Sequence, residues 1–425
     1  MEVVQKLLMP GVTLTALRTD KFKSSCLSLT LKVPMDRRTV TANALLPSVL
    51  RRGCKKYPDT RALSEALDEL CGGTLEARVR QQGELQCIGF MGSFLDDAFS
   101  LDGTPILEPA ARLMCELLLD PVLENGVFRA DYVAGEGKNQ ADRIRAQIND
   151  KRQYSIKRLT EQMCSDEPYG LDKLGFADEV TAITSDQLWE CYQTLLKTAP
   201  IALYYCGSAP VERVEKALKD ALVGLPERNM EQPSFADTNR HIEHVRYFED
   251  AMDVTQGKLA LGWRTGDITM RSKEYPALLV LNAIFGGTTT SKLFMNVREK
   301  LSLCYFASSL LDKQKGLMLV SSGIEFEKYE QAKNEILAQF TACINGDFTS
   351  QELEAGRRAV ISGLTSGEDS QGLLEFYWQA QDASGIQQKP QELAQAVEQV
   401  TAEHVIAVAK QMELDSIYFL KGKGA

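Results

Sequence analysis

Histidine and cysteine, the side chains best suited to bind a transition metal, do not occur in metal-binding patterns in this chain. Its 425 residues include three histidines, His241, His244 and His404, and ten cysteines. His241 and His244 lie three residues apart at a predicted linker-to-strand junction, a spacing that directs them to opposite faces of a strand. The two closest cysteines, Cys191 and Cys206, are 15 residues apart, too far for a zinc knuckle. These residues therefore predict no metal site.

The composition is that of an ordinary globular protein and argues against several functional classes. Apolar residues make up 44% and charged residues 25% of the chain, and 48 basic against 58 acidic residues give a formal net charge of −10. This acidic balance argues against a general nucleic-acid or anionic-membrane binder. The sequence shows no basic and apolar leader, and no apolar run of membrane-spanning length. We therefore predict a cytoplasmic protein with reduced, mostly buried thiols and with no nucleic-acid or membrane partner.

Blocks of the first half of the chain recur in the second half at a nearly constant distance. The helix-like blocks at 62–73 and 277–287 both end in a glycine pair, and their ends lie 214 residues apart. The blocks at 182–207 and 399–422 both read as a helix with a threonine N-cap followed by a short strand, at offsets of 215 and 217 residues. The stretch between the copies is rich in turn formers and charge. We predict an N-terminal domain over 1–224, a linker over 225–246 and a C-terminal domain over 247–425.

The hydrophobic periodicity predicts a similar mixture of elements in both copies. In the first copy we expect strands over 25–33 and 75–79, a helical stretch over 41–53, a helix starting at 59 or 60, and helices over 105–119 and 128–164. In the second copy we expect a strand over 258–263, helices over 275–285 and 291–301, and a hairpin over 304–323. Each copy therefore combines an antiparallel sheet with helices, and the predicted fold class is α+β.

One block of the second copy is similar to a known family signature. The sequence FGGTTTSKLFMNVREKLSLCYFASS (285–309) combines a glycine pair, a polar loop, a helix with Leu-Phe, an Arg-Glu-Lys triplet and a tyrosine seven residues beyond the arginine. The chain resembles the insulinase/pitrilysin-type zinc metallopeptidases, which include the mitochondrial processing peptidase, and its first copy is most similar to their catalytically silent, YmfF-like bacterial members. The resemblance implies two homologous α+β domains of the LuxS/MPP-like metallopeptidase fold, each a mostly antiparallel sheet flanked by helices, folded like a clam.

The catalytic motif of that family, His-x-x-Glu-His, is missing from this chain. In the family two histidines on one helix face bind zinc, the glutamate between them is the general base, and a later glutamate completes the ligand set. The corresponding positions here are Ala44, Pro47 and Ser48, which offer a methyl group, a pyrrolidine ring and a hydroxyl. The region expected to hold the later ligand, 140–143, contains one carboxylate, Asp142. We therefore expect no bound cofactor, no catalysis by the chain alone, and a helix that is kinked at Pro47 or begins later than in active relatives.

The resemblance also assigns candidate substrate-binding residues. Arg298 and Tyr305 correspond to an arginine and a tyrosine that reach the substrate carbonyl near zinc in active relatives, a task suited to a guanidinium and a phenol. Glu76 and Ala77 belong to the strand that pairs with an extended peptide in the family. The residues alone leave other roles open: Arg298 on a solvated helix face, Tyr305 in packing, and the strand charges as protection against aggregation.

Two functions from different classes follow from the resemblance. In the first, the protein is a non-catalytic subunit that binds extended peptides and forms a chamber with an active, zinc-containing homologue as a heterodimer, or associates with itself. In the second, it is a purely structural scaffold, like the core subunits of respiratory complexes in the same superfamily, and binds no peptide. Zinc is expected only in the partner subunit.

Overall fold

The chain forms two compact units, which the computed structural model describes over residues 1–101, 103–230, 235–238 and 240–423. The first unit consists of Met1–Arg145, Leu171–Ser234 and Gln371–Ala383, and the second of Ala146–Gly170, Phe235–Ser370 and Ser384–Ala425. Positions 231–234 and 239 of the predicted linker lie outside the described residues. Within the described ranges, each helix is too short or too polar to cross a membrane.

Both halves of the chain contain helices and strands. The first half contains β1 (Glu2–Met9), β2 (Val12–Arg18), β3 (Ser24–Pro34), α1 (Val40–Leu50), α2 (Thr60–Glu69), β4 (Thr74–Gln82), β5 (Leu85–Leu95), α3 (Leu107–Leu119), β6 (Leu123–Glu124), β7 (Val127–Phe128), α4 (Ala130–Ala146), α5 (Lys151–Met163), α6 (Ala177–Val180), α7 (Ser185–Thr198), β8 (Ile201–Gly207) and α8 (Val211–Ala221). The second half contains β9 (Arg246–Met252), β10 (Gly257–Arg264), α9 (Tyr275–Asn282), β11 (Cys304–Asp312), β12 (Leu317–Ile324), α10 (Tyr329–Asn345), α11 (Ser350–Gly367), α12 (Gln371–Ala383), α13 (Pro390–Glu398), α14 (Ala402–Gln411) and β13 (Glu413–Gly422).

The main sheets of the two units have matching strand orders. The order is β1-β2-β8-β3-β5-β4 in the first unit and, read in the matching direction, β9-β13-β10-β12-β11 in the second. Each sheet contains one parallel pair, β2 with β8 and β9 with β13, and the remaining neighbours are antiparallel. The predicted α+β class, two homologous and mostly antiparallel sheets flanked by helices, is confirmed.

Each unit includes a helix from the other half of the sequence. The single helix predicted over 128–164 is wrong, because a 3-10 turn at Gln147–Asn149 interrupts it and the Asp150 carboxylate accepts main-chain hydrogen bonds from Arg152 and Gln153 to cap α5. α4 belongs to the first unit, whereas α5 packs on β10 and β13 of the second, and α12 packs on β3 and β8 of the first. The division predicted at 1–224, 225–246 and 247–425 stays a prediction, since the compact units are defined by contacts and each takes a segment from the other half of the sequence.

Polar contacts and a small apolar cluster anchor α12 to the first unit. The side chains of Leu374 and Trp378 pack with Leu17, Cys26, Tyr204 and Cys206. At the start of the helix, the Gln371 amide donates to the main-chain carbonyls of Ser24 (2.8 Å) and Cys206 (3.0 Å). Further along, the buried Glu375 carboxylate lies 2.5 Å from the Arg80 guanidinium on β4. The helix is therefore an integral part of the first unit and reaches its edge strand.

Glycine at position 89 allows strand β5 to lie against strand β3. Gly89 has a φ of +153°, and a Cβ built there would lie 2.0 Å from the Leu29 carbonyl oxygen. Because that oxygen belongs to the neighbouring main chain, it cannot move without disturbing the ladder.

Replacing Gly89 by alanine is expected to lower the free energy of unfolding by about 3 kcal/mol, because strain and overpacking act together. The matched control is Gly135→Ala on the exposed face of α4, where the added methyl group meets nothing within 4 Å. That change is expected to raise stability by about 1 kcal/mol. Urea unfolding of both variants checks the prediction, and equal effects at the two positions would contradict it.

Candidate functional site

Helix α1 carries the three positions at which the resemblance places a zinc motif. It begins at Val40 and continues through Pro47 to Leu50, and the expectation of a kink at Pro47 or of a later start than in active relatives stays a prediction. The buried Gln86 amide donates to the carbonyl of Val40 (2.9 Å), and the buried Gln140 amide donates to that of Thr41 (3.3 Å). These contacts hold the first turn of the helix in place and explain why it starts where it does.

The residues at these positions do not fit a zinc ion. Ala44 and Pro47 are buried and have no lone pair to donate, and Ser48 presents only a hydroxyl. In the part of the chain that the structure describes, no three side chains of His, Cys, Asp and Glu converge as metal ligands. The predicted absence of a cofactor therefore rests on the chemistry of α1 and stays a prediction.

A buried carboxylate, Glu136 on α4, lies beside α1. Its Oε1 is 3.3 Å from Nη1 of Arg52, two residues beyond the end of α1, and the Arg52 guanidinium lies 4.7 Å from the Tyr132 ring centroid. Helical periodicity places Ala44 and Ser48 on the face of α1 that leads to Arg52. The Glu136 carboxylate is therefore paired with Arg52, and Nη2 of Arg143 on α4 lies 3.8 Å from its other oxygen.

The sequence did not predict Glu136 as a site residue. The carboxylate that it indicated for the later ligand region, Asp142, is exposed on the same helix. The signal in the sequence is an acidic residue flanked by Val133 and Gly137 on the buried face of an amphipathic helix. This pattern predicts that Glu136 is buried, but it does not predict which residue pairs with it, because Arg52 lies far away along the chain.

Strand β4, which contains Glu76 and Ala77, is an edge strand of the first sheet. Glu76 is exposed and forms an ion pair with Arg78 (2.7 Å), and Ala77 is half-buried. The Arg51 side chain, at the C-cap of α1, donates to the main-chain carbonyl of Leu75 (2.5 Å). The strand therefore has one neighbour, β5, and its start is fixed to the end of α1.

Arg298 and Tyr305 are both solvent-accessible in the second unit. Arg298 lies in a π-helix, Leu293–Lys300, rather than in the predicted α-helix; its side chain is 41% exposed, 4.6 Å from the Phe294 ring and 3.5 Å from Glu299. Tyr305 is 63% exposed and occupies a bulge at the start of β11, where the pairing with β12 shifts between Cys304 and Phe306. A π-turn and a bulge both redirect side chains, which favours exposed functional roles for these two residues.

Comparison with known proteins identifies the family. Residues 182–360 match the family described as "Peptidase M16 inactive domain". Over 416 residues the chain is 39% identical to "Probable inactive metalloprotease YmfF" of Bacillus subtilis (strain 168), which covers 97% of this chain and 96% of that protein. The chain belongs to the peptidase M16 family. The insulinase/pitrilysin-type, YmfF-like resemblance is therefore confirmed.

Solved structures of M16-like fold superpose on the whole chain. A conserved protein from Enterococcus faecalis V583 has a TM-score of 0.90 and 25% identity, covering 100% of this chain and 99% of that one. A chain of "Complex III2 from Candida albicans, Inz-5 bound" has a TM-score of 0.77 and 14% identity, covering 99% and 96%. At 14% identity, the similarity to the Candida albicans chain shows only that the two chains share the M16 fold.

If Arg52 is the counter-charge of Glu136, the two residues are energetically coupled. Replacing Arg52 by methionine is expected to lower the free energy of unfolding by about 2 kcal/mol, because it removes the nearer of the two arginines from a buried carboxylate and leaves only Arg143, at 3.8 Å. In that background Glu136→Gln is expected to restore part of the loss. A double-mutant cycle measured by urea unfolding gives the coupling, and an equal cost of Glu136→Gln in both backgrounds would contradict it.

Proposed function

We propose that this M16 family member is a non-catalytic subunit that binds extended peptides and forms a peptide chamber with an active, zinc-containing homologue. The observation that carries the proposal is strand β4, an accessible sheet edge in the unit whose motif helix lacks zinc ligands. Strand addition uses main-chain hydrogen bonds and needs no catalytic residue. The loss of zinc ligands is therefore compatible with continued peptide binding.

Accessible side chains in both units support this proposal. Glu76 and Arg78 on β4 can contact alternate side chains of a paired peptide, and Ala77 leaves room for one. In the second unit Arg298 and Tyr305 offer a guanidinium and a phenol to peptide carbonyls. Neither of these two needs a metal to make such hydrogen bonds.

The partner in the proposal is a homologue that retains the zinc motif. A chain of the same fold occurs in Complex III2 of Candida albicans, which supports assembly as a role open to this fold. Among the described residues all ten cysteines are free, which supports a reducing compartment and the cytoplasmic location that we propose. Association with itself remains the alternative to the heterodimer, and a peptide-free scaffold remains the alternative function.

Replacing Arg298 by alanine and Tyr305 by phenylalanine together is expected to weaken binding of an unfolded peptide at least about tenfold, because two hydrogen-bonding groups are lost. Isothermal titration of the purified protein measures this. The matched control combines Arg358→Ala with Tyr247→Phe, since Tyr247 is 62% exposed in the same unit and Arg358 is an exposed helix residue.

The alternatives give different results in the same experiment. Saturable binding that the control variant keeps and the double variant loses supports the proposal. Absence of peptide binding, both for the protein alone and after mixing with a zinc-bearing M16 homologue from the same cells, favours the scaffold. Size-exclusion chromatography of that mixture distinguishes a heterodimer from self-association.

A further inference from the structure

Two cationic side chains converge on one aromatic ring of the second unit. The Arg152 guanidinium on α5 lies 4.4 Å from the ring centroid of Phe306, and the Lys258 ammonium on β10 lies 5.9 Å from the same centroid. We refer to Arg152, Lys258 and Phe306 as the cationic cluster. It lies at the edge of the sheet, because Phe306 belongs to β11.

The ring in this cluster has a fixed position. Phe306 pairs across the ladder with Gly323 of β12, and a Cβ at Gly323 would lie 2.5 Å from Cε1 of Phe306. The ring therefore packs directly over the main chain of β12. On β11, the Ser308 hydroxyl accepts a hydrogen bond from Nη2 of Arg152 (2.8 Å), which holds the guanidinium beside the ring. The cluster is organised before any ligand arrives.

Neither cation of the cluster is neutralised by a carboxylate. In the described ranges no acidic oxygen lies within ion-pair distance of Arg152 or Lys258, and the Lys258 ammonium donates instead to the Gln256 amide oxygen. Burial lowers the pKa of Lys258, and the charge of Asp150 opposes that shift only in part. Asp150 itself accepts the capping hydrogen bonds of α5. Two positive charges that form no ion pair among the described residues, with Asp150 acting on Lys258 from beyond ion-pair distance, indicate a place for an anion.

The cluster borders the residues that the proposed function uses. Tyr305 immediately precedes Phe306, and the Arg298 charge opposes the rise that burial causes in the pKa of Cys304, at the start of the same strand. The main-chain N–H of Ser302 donates to the carbonyl of Arg298 (3.1 Å), which turns the π-helix back toward β11. Tyr305 and Phe306 are therefore neighbours along one edge strand, and a peptide that follows this strand meets both residues.

We propose that the cationic cluster binds a carboxylate side chain of the peptide, so that the protein selects acidic peptides. This inference rests on the proposed function and names its ligand class. A guanidinium binds a carboxylate through two parallel hydrogen bonds, and an ammonium adds a third donor from another direction. The Phe306 ring contacts the apolar stem of an aspartate or a glutamate.

The test compares two peptides that differ only in charge. One alternates glutamate with threonine, and the other has glutamine at every glutamate position; both are acetylated and amidated, so that side chains carry the only carboxylates. Isothermal titration of the wild-type protein is expected to show about tenfold tighter binding of the glutamate peptide. The preference is expected to shrink as the salt concentration rises, because the cluster is partly exposed.

Two variants and one control assign the effect to the cluster. Arg152→Gln with Lys258→Gln is expected to abolish the preference, so that the two peptides bind with equal affinity. Arg152→Gln alone, at an exposed position, is expected to remove part of the preference without affecting the fold. The control is Lys273→Gln, an exposed lysine of the same unit, which is expected to keep the full preference.

The outcomes separate this inference from the proposed function. Equal affinity of the wild-type protein for both peptides overturns the acidic preference and leaves peptide binding standing. A preference that persists in the double variant also overturns the inference. Absence of binding for both peptides overturns the inference together with the proposed function.

Discussion

The buried carboxylate of Glu136 and its neutralisation by Arg52 determine what helix α1 can do. A carboxylate in a protein interior needs a nearby cation or several hydrogen-bond donors, because desolvation otherwise disfavours its charged form. Here the nearer cation is the Arg52 guanidinium, two residues beyond the end of α1, and Arg143 on α4 lies 3.8 Å from the other carboxylate oxygen. Ala44 and Ser48 provide neither imidazole nor carboxylate. Helix α1 therefore offers no metal ligands that could form a metal site together with Glu136. The Glu136 carboxylate thus has cationic partners within this chain.

The internal duplication places similar edge strands in similar settings. In the first unit α12 contacts edge strand β4 through Glu375 and Arg80, and in the second unit α5 contacts edge strand β11 through Arg152 and Ser308. Each of these helices comes from the other half of the sequence. In both units, a side chain of the helix from the other half of the sequence therefore holds a residue of the edge strand in place. The contact is an ion pair in the first unit and a hydrogen bond from a guanidinium to a hydroxyl in the second. On β4 the arginine side chain has an acidic partner, whereas the guanidinium beside β11 has no acidic partner among the described residues.

The sequence predicted much of this architecture and missed features that depend on distant contacts. The repeated blocks and the period-2 strands were sufficient for the α+β class, and Thr184 and Thr401 cap their helices as the threonine pattern indicates. The break at Gln147–Asn149 was missed, because the hydrophobic pattern continues across it, whereas in the structure Asp150 caps α5 and α5 packs on the sheet of the second unit.

Local patterns were also insufficient at the candidate site. The pairing of Glu136 with Arg52 is a long-range contact that no spacing rule describes. Pro47 suggested a disturbed helix, yet buried hydrogen bonds from Gln86 and Gln140 hold its first turn. The expectation of mostly buried thiols holds for eight of the ten described cysteines, whereas Cys71, beyond the end of α2 with a φ of +58°, is exposed.

Zinc content is the measurement that tests this account most directly. The protein is expressed in zinc-supplemented medium, dialysed against zinc-free buffer and analysed by inductively coupled plasma mass spectrometry. We expect far less than one equivalent of zinc per chain, and the same value for Glu136→Gln. One tightly held zinc per chain that disappears in Glu136→Gln would contradict the account, because it would show that a metal ion and not Arg52 balances that carboxylate.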